Sequence, residues 1–345
     1  MFHKFILPLL AFFAVEAAFA QSSHITEKDY MRIATTIDSM KAWATAMQLD
    51  TITADTTERR ADIQAALNIE SEKIRLAAND SLSRAMRRIL KIKGSFHYSL
   101  NDLPQLSVLV APDNSFRMIT WQVFVNPKEY KYMGFVQWEN SRYVELKDKS
   151  PTMKSPLYSK LKSDNWYGAL YYNMLSFKIK KKEYYLLFGY DADCFYNNRK
   201  IIEVFETNNV GHVSFGAPVF QLKDPAKEPK QPKTEAYYLK PPELHRLFIE
   251  YAKGTAVTVN YRPEEDMIMF DHVVPTVPTK YGLLNGPDGD VDGLKWQKDK
   301  WVLIERIYKD VMEEFPVPVP VLDKREDGVF GADKKRNKSA TPIKP

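Results

Sequence analysis

The spacing of apolar residues along this chain changes once, and the change divides it. From Thr26 to Met47, the residues Tyr30, Ile33, Ile37, Met40, Ala44 and Met47 recur every three or four positions, the repeat of one helix face. Thr26 followed by Asp29 supplies a capping start. A second stripe (Ile63, Leu67, Ile74, Ala78, Leu82, Met86, Leu90) runs between charged faces over about 57–92, and Asn79-Asp80 is the point where it would break in two. Together the stripes predict a helical hairpin, packed back on its own chain, within a helical region over 21–93.

After Gly94 the period drops to two, and β-branched and aromatic residues crowd in. The pattern predicts strands at 107–110, 116–125, 132–139, 143–146, 169–179, 184–190, 200–206, 213–215 and 219–222. Five more follow at 244–251, 256–261, 267–271, 294–297 and 301–306. Asp113-Asn114, Asn126-Pro127-Lys128 and Lys298-Asp299-Lys300 supply turns. Short connections without helices require antiparallel pairing, since parallel strands need crossovers of about a dozen residues or more. The expected fold class is mainly β with an N-terminal helical region (α+β). Its body is a large antiparallel β meander over 94–310, sandwich-like or propeller-like. The strands fall loosely into groups of four without sequence self-similarity, which favours the sandwich.

Three segments stand outside these periods. The stretch 223–242 (KDPAKEPKQPKTEAYYLKPP) reads as an exposed Pro/Lys-rich loop joining two strands. Residues 311–345 contain Pro316-Val317-Pro318-Val319-Pro320 and then a basic run poor in apolar residues, so a disordered tail is expected. At the start, Lys4 precedes the apolar run FILPLLAFFAV, and Ala18-Phe19-Ala20 ends it, the layout of a secretory signal peptide over 1–20. No other run approaches the roughly 20 apolar residues of a membrane span. The expectation is an exported chain, periplasmic or extracellular, with no transmembrane segment.

Composition narrows the partners. In 345 residues there are 49 Lys and Arg against 44 Asp and Glu, a net +5 too small to make nucleic acid the main partner. Cys194 is the sole cysteine, so no disulfide forms within the chain.

Several strand and turn motifs carry a resemblance. They are Asp164-Asn165-Trp166-Tyr167-Gly168-Ala169-Leu170-Tyr171-Tyr172, Tyr185 to Asp191 (YLLFGYD), Asn198-Arg199-Lys200-Ile201-Ile202, Phe215-Gly216-Ala217-Pro218, Phe270-Asp271-His272 and Gly286-Pro287-Asp288. In these the chain resembles a family of uncharacterised secreted proteins from Bacteroidota-type bacteria, across about 107–307. The resemblance implies export and a β-rich fold, and it brings no activity, cofactor or catalytic residue.

Candidate chemistry is sparse. Asp288-Gly289-Asp290-Val291-Asp292-Gly293 matches the opening of a calcium loop, with Asp288, Asp290 and Asp292 as ligands and a glycine in sixth place. The predicted strand flanks exclude a true EF-hand and leave a looser calcium site; no other cofactor is expected. Trp166, Tyr167 and Tyr171 form an aromatic group suited to stacking a sugar ring, although Tyr171 and Tyr172 must face opposite ways in a strand. His272 beside Asp271, at a strand end, suits a general base or a metal ligand, and both are candidate ligand-binding residues. Zinc-protease, serine-hydrolase and dinucleotide motifs are absent, and Ala217-Pro218 stands where a phosphate-binding loop needs Lys-Ser/Thr. No catalytic residue is singled out. Glu139, Asp191, Asp193 and Glu264 are the acids that folding would have to bring together for glycan hydrolysis. The expectation is an exported, non-catalytic binding or scaffold protein of the cell envelope, with an envelope protein or glycan as partner. A glycan hydrolase is the alternative.

Overall fold

Helix α1 (Glu27–Ala46) starts where the cap predicts: the Thr26 hydroxyl accepts the Asp29 backbone N–H at 3.2 Å. Helix α2 (Ala61–Leu90) packs against it. The computed structural model describes residues 25–48, 61–126, 128–193, 196–208, 211–222, 243–279 and 282–308. The expected signal peptide, the Pro/Lys-rich loop, the tail over 311–345 and Cys194 lie outside the described residues. The break expected at Asn79-Asp80 does not occur, and α2 is continuous through it. Asn79 is buried, and its amide oxygen accepts the indole N–H of the buried Trp121 at 2.9 Å. Its polar group thus has a tertiary partner and does not compete for the helix backbone. Among the described residues, no helix is long and apolar enough to cross a membrane.

Among the described residues, fifteen strands follow. Strands β1 (Ser107–Val110), β2 (Phe116–Asn126), β3 (Glu129–Trp138) and β4 (Tyr143–Lys147) form a four-stranded antiparallel meander, the first sheet. The second sheet contains β5 (Leu161–Lys162), β6 (Leu170–Ile179), β7 (Lys182–Asp191), β8 (Asn197–Thr207), β9 (Val213–Phe215) and β11 (Arg246–Ala252). Strand β8 has β7 on one side; β11 and β9 share the other, pairing with 197–203 and 205–207 respectively. The third sheet runs β10 (Phe220–Gln221), β15 (Lys300–Ile304), β14 (Gly282–Gln297), β13 (Met267–Thr279), β12 (Val259–Arg262). The two-residue β10–β15 contact is parallel, an exception to the all-antiparallel expectation.

Alternation along the strands turns these sheets into layers. On β2, Ile119, Trp121 and Val123 face the helices in one core, while Phe116 and Met118 face the second sheet in another. On β7 and β8, Tyr185, Leu187, Ile201 and Phe205 belong to that second core; Leu186, Phe188, Ile202 and Val204 turn to the third sheet, meeting Ile268, Phe270, Leu294 and Trp301. The order is helices, first sheet, second sheet, third sheet. This is the sandwich arrangement. In a propeller, the face of the first sheet that carries Trp121 would pack on another blade, and here the helices occupy it. The contacts divide the chain at Ile307, and this description concerns the unit that ends there.

Two turns show why β6–β7 and β14–β15 are tight hairpins. Lys180 and Lys181 (φ 47° and 71°), and Lys298 and Asp299 (φ 50° and 61°), take the paired positive φ of a type I′ turn. Strands β13 and β14 are much longer than the predicted 267–271 and 294–297. Pro275, Pro278 and Pro287 sit in the part of β13–β14 that, among the described residues, has no third strand beside it, where proline is tolerated.

Candidate functional site

The aromatic group is a core feature, which corrects its expected role as a ligand platform. Trp166, Tyr167 and Tyr171 are all buried between the first and second sheets. The Trp166 indole N–H donates to the Tyr171 hydroxyl at 3.0 Å, and that hydroxyl donates to Glu203 Oε1. Glu203 also accepts from Arg246 Nε at 2.9 Å, and neither side chain of this ion pair is exposed. Burial, and then the neighbouring Glu203 carboxylate, pushes the Tyr171 hydroxyl far above the usual tyrosine range. Tyr172 points the other way, as alternation requires, with the Lys200 ammonium 4.8 Å from its ring centre.

The acids considered for hydrolysis are each committed to a partner. Asp191 is buried and accepts from Tyr132 (3.0 Å), Tyr167 (2.8 Å), the Asp193 backbone N–H (2.8 Å) and Arg199 (3.1 Å). Four donors fill the four lone-pair sites of a carboxylate, which leaves none for proton shuttling. Asp193 lies 3.2 Å from Arg199, Glu139 3.2 Å from His97, and Glu264 3.8 Å from Arg262.

The structure brings His272 together with the acidic motif. In the β13–β14 register Asp271 faces Val291 and Val273 faces Pro287, so His272 stands alone against Asp288-Gly289-Asp290. The motif is a β-bulge: Gly289 takes the positive φ (97°) that bends the strand. Gly293, the sixth-place glycine of a calcium loop, is paired on both sides, with Met269 and Ile304. The acids also have a resident cation. Arg306 reaches Asp290 at 3.0 Å and Asp288 at 3.6 Å. Asp292, nearly buried, accepts the Arg306 backbone N–H at 2.9 Å on one oxygen and meets His272 Nδ1 at 2.8 Å on the other. Among the described residues, no group of three or more His, Cys, Asp or Glu side chains is arranged to hold a metal ion. Asp271 points elsewhere and ties β12 down through the Thr258 N–H and hydroxyl.

A carboxylate only accepts, so the His272 ring donates to Asp292 from Nδ1, and its Nε2 lies 3.8 Å from a second carboxylate, Asp288. The His272–Asp292 pair lines a cleft of about 320 Å³ between the second and third sheets. Four consecutive residues of β11, Leu247, Phe248, Ile249 and Glu250, also line it. Side chains alternate along a strand, so four in a row reach one space only along the strand's edge. Among the described strands β11 pairs with β8 alone, so this edge carries unpaired backbone groups facing β13 and β14. Phe270, Val273 and Leu303 make the opposite wall apolar, and His272, Asp292 and Asn285 make one part polar. Among the described residues, no Ser, Thr or Cys side chain lines the cleft to act as a nucleophile beside the histidine.

Sequence reasoning named His272 and Asp292 separately and did not pair them; the bulge that joins them depends on a register that Gly289 alone hints at. It missed Phe248, Glu250, Asn285 and Arg306, whose roles arise from strand order and leave no local pattern. In comparisons with known proteins, the chain matches no family model, no curated protein and no solved structure.

Proposed function

We propose that this chain is an exported, non-catalytic binding protein of the bacterial cell envelope, which holds an extended segment of a partner protein against the open edge of β11. The observation that carries the reading is the cleft itself. It combines a strand edge free of pairing among the described strands, apolar walls and a His–Asp–Asn group at one part. An added strand draws affinity from main-chain hydrogen bonds along such an edge and selectivity from side-chain pockets beside it. The His272–Asp292 pair then acts as a hydrogen-bonding anchor.

The test selects displayed peptides on the immobilised full chain and measures their affinity for the wild type and for His272→Ala. The reading expects extended peptides that bind at least tenfold more weakly to the variant. It also expects no new reducing ends when the wild type is incubated with envelope glycans. Release of reducing ends, lost in Asp292→Asn, would replace this reading with the hydrolase.

A further inference from the structure

A second cleft, of about 310 Å³, opens where the start of α1 meets the end of α2, lined by Asp29, Arg32, Arg88, Lys91, Ile92 and Lys93. The four cations are exposed, and among the described residues none makes an ion pair or a side-chain hydrogen bond. Their neighbour Arg87 shows the contrast, since it grips Glu145 at 2.8 and 2.5 Å. The single carboxylate of the cleft, Asp29, is turned to the Thr26 hydroxyl at 2.9 Å. A volume of 310 Å³ equals a cube about 7 Å on a side, so the charges facing it lie within about one Debye length of the space at physiological salt.

Basic residues gather at helix C-termini to offset unpaired carbonyls, but here several carbonyls at and just after the end of α2 have other donors. The Ile89 carbonyl accepts the Ile92 N–H at 2.9 Å, the Leu90 carbonyl accepts Gln137 at 3.2 Å, and the Ile92 carbonyl accepts the Ser95 N–H at 3.1 Å. The cations are therefore free to face outward. We propose that this cleft binds a phosphate-bearing anion, with the Arg32 and Arg88 guanidiniums as forked donors and Lys91 and Lys93 as point charges. The site lies on the helical layer, and its ligand need not be the one taken by β11.

The experiment uses the full chain in chloride buffer at fixed ionic strength. Inorganic phosphate is titrated while the backbone amides of Arg32 and of residues 91–93 are followed by NMR. In parallel, the chain is sedimented with phosphatidylcholine vesicles, with and without phosphatidylglycerol. Both arms are repeated with Arg88→Gln/Lys91→Gln, and with Arg32→Gln, a change confined to the other helix, in case the double variant fails to fold. The proposal expects saturable binding that weakens at least tenfold in the variants. Binding of inorganic phosphate alone identifies a soluble phosphate compound, and variant-sensitive sedimentation with phosphatidylglycerol identifies a lipid headgroup. The proposal is overturned if neither probe binds, or if folded variants bind as tightly as the wild type.

Discussion

Glu203 and Arg246 are the residues on which the core between the first two sheets depends. Both are fully buried, and Arg246 also donates to the Ser159 carbonyl at 3.1 Å and the Phe215 carbonyl at 3.3 Å. Replacing Glu203 by Leu leaves a buried guanidinium without its counter-charge, and urea unfolding should show a loss of about 3–5 kcal/mol. Adding Arg246→Met should recover much of that loss, since an apolar pair carries no desolvation penalty. Acid sensitivity belongs elsewhere. Burial raises the Glu206 carboxyl, but hydrogen bonds from Lys182 and Lys160 outweigh it and bring the group from its ordinary 4.5 down to about 2. A depressed folded value means the contribution to stability is complete above about 4.5 and is lost as pH falls through about 2. Unfolding midpoints of Glu206→Gln should therefore fall less steeply than those of the wild type across that window. The sequence showed that Tyr171 and Tyr172 face opposite ways, but not which of them is buried; that depends on which face of β6 meets the first sheet.

The bulge in β14 is the element that builds the polar part of the cleft. Nothing lies within 4 Å of where a Cβ would stand on Gly289, so Gly289→Ala meets only backbone strain at φ 97°. The expected cost is about 1–3 kcal/mol in chemical denaturation. Because Arg306 already pairs with Asp288 and Asp290, excess calcium should leave the melting midpoint of the wild type unchanged; an upward shift lost in Asp290→Ala would show that the ion displaces the arginine. Most strands and the turn at Lys298-Asp299-Lys300 were legible from period and turn residues. The extent of β13 and β14 was not. Proline and glycine look, in sequence, like a loop, and they are tolerated in this ribbon where, among the described residues, no third strand pairs with it.

At the scale of the whole molecule, one step in period near Gly94 foretold helices followed by a β body. The stacking order was not foretold, since alternation assigns residues to two faces without saying which sheet each face meets. The layered order predicts that the helices protect only the first sheet. Trp121→Ala should weaken the helix–sheet core by about 3–5 kcal/mol and raise amide exchange in α1 and α2 more than in β13 and β14. The reading of the open β11 edge as a binding site is tested most directly by amide hydrogen exchange along Leu247 to Tyr251, in the free chain and with a selected peptide. The account predicts alternation in the free chain, with slow exchange for amides facing β8 and fast exchange for those on the outer edge, and slow exchange at every position once the peptide binds. Uniform slow exchange in the free chain, or outer amides that stay fast under saturating peptide, would contradict it.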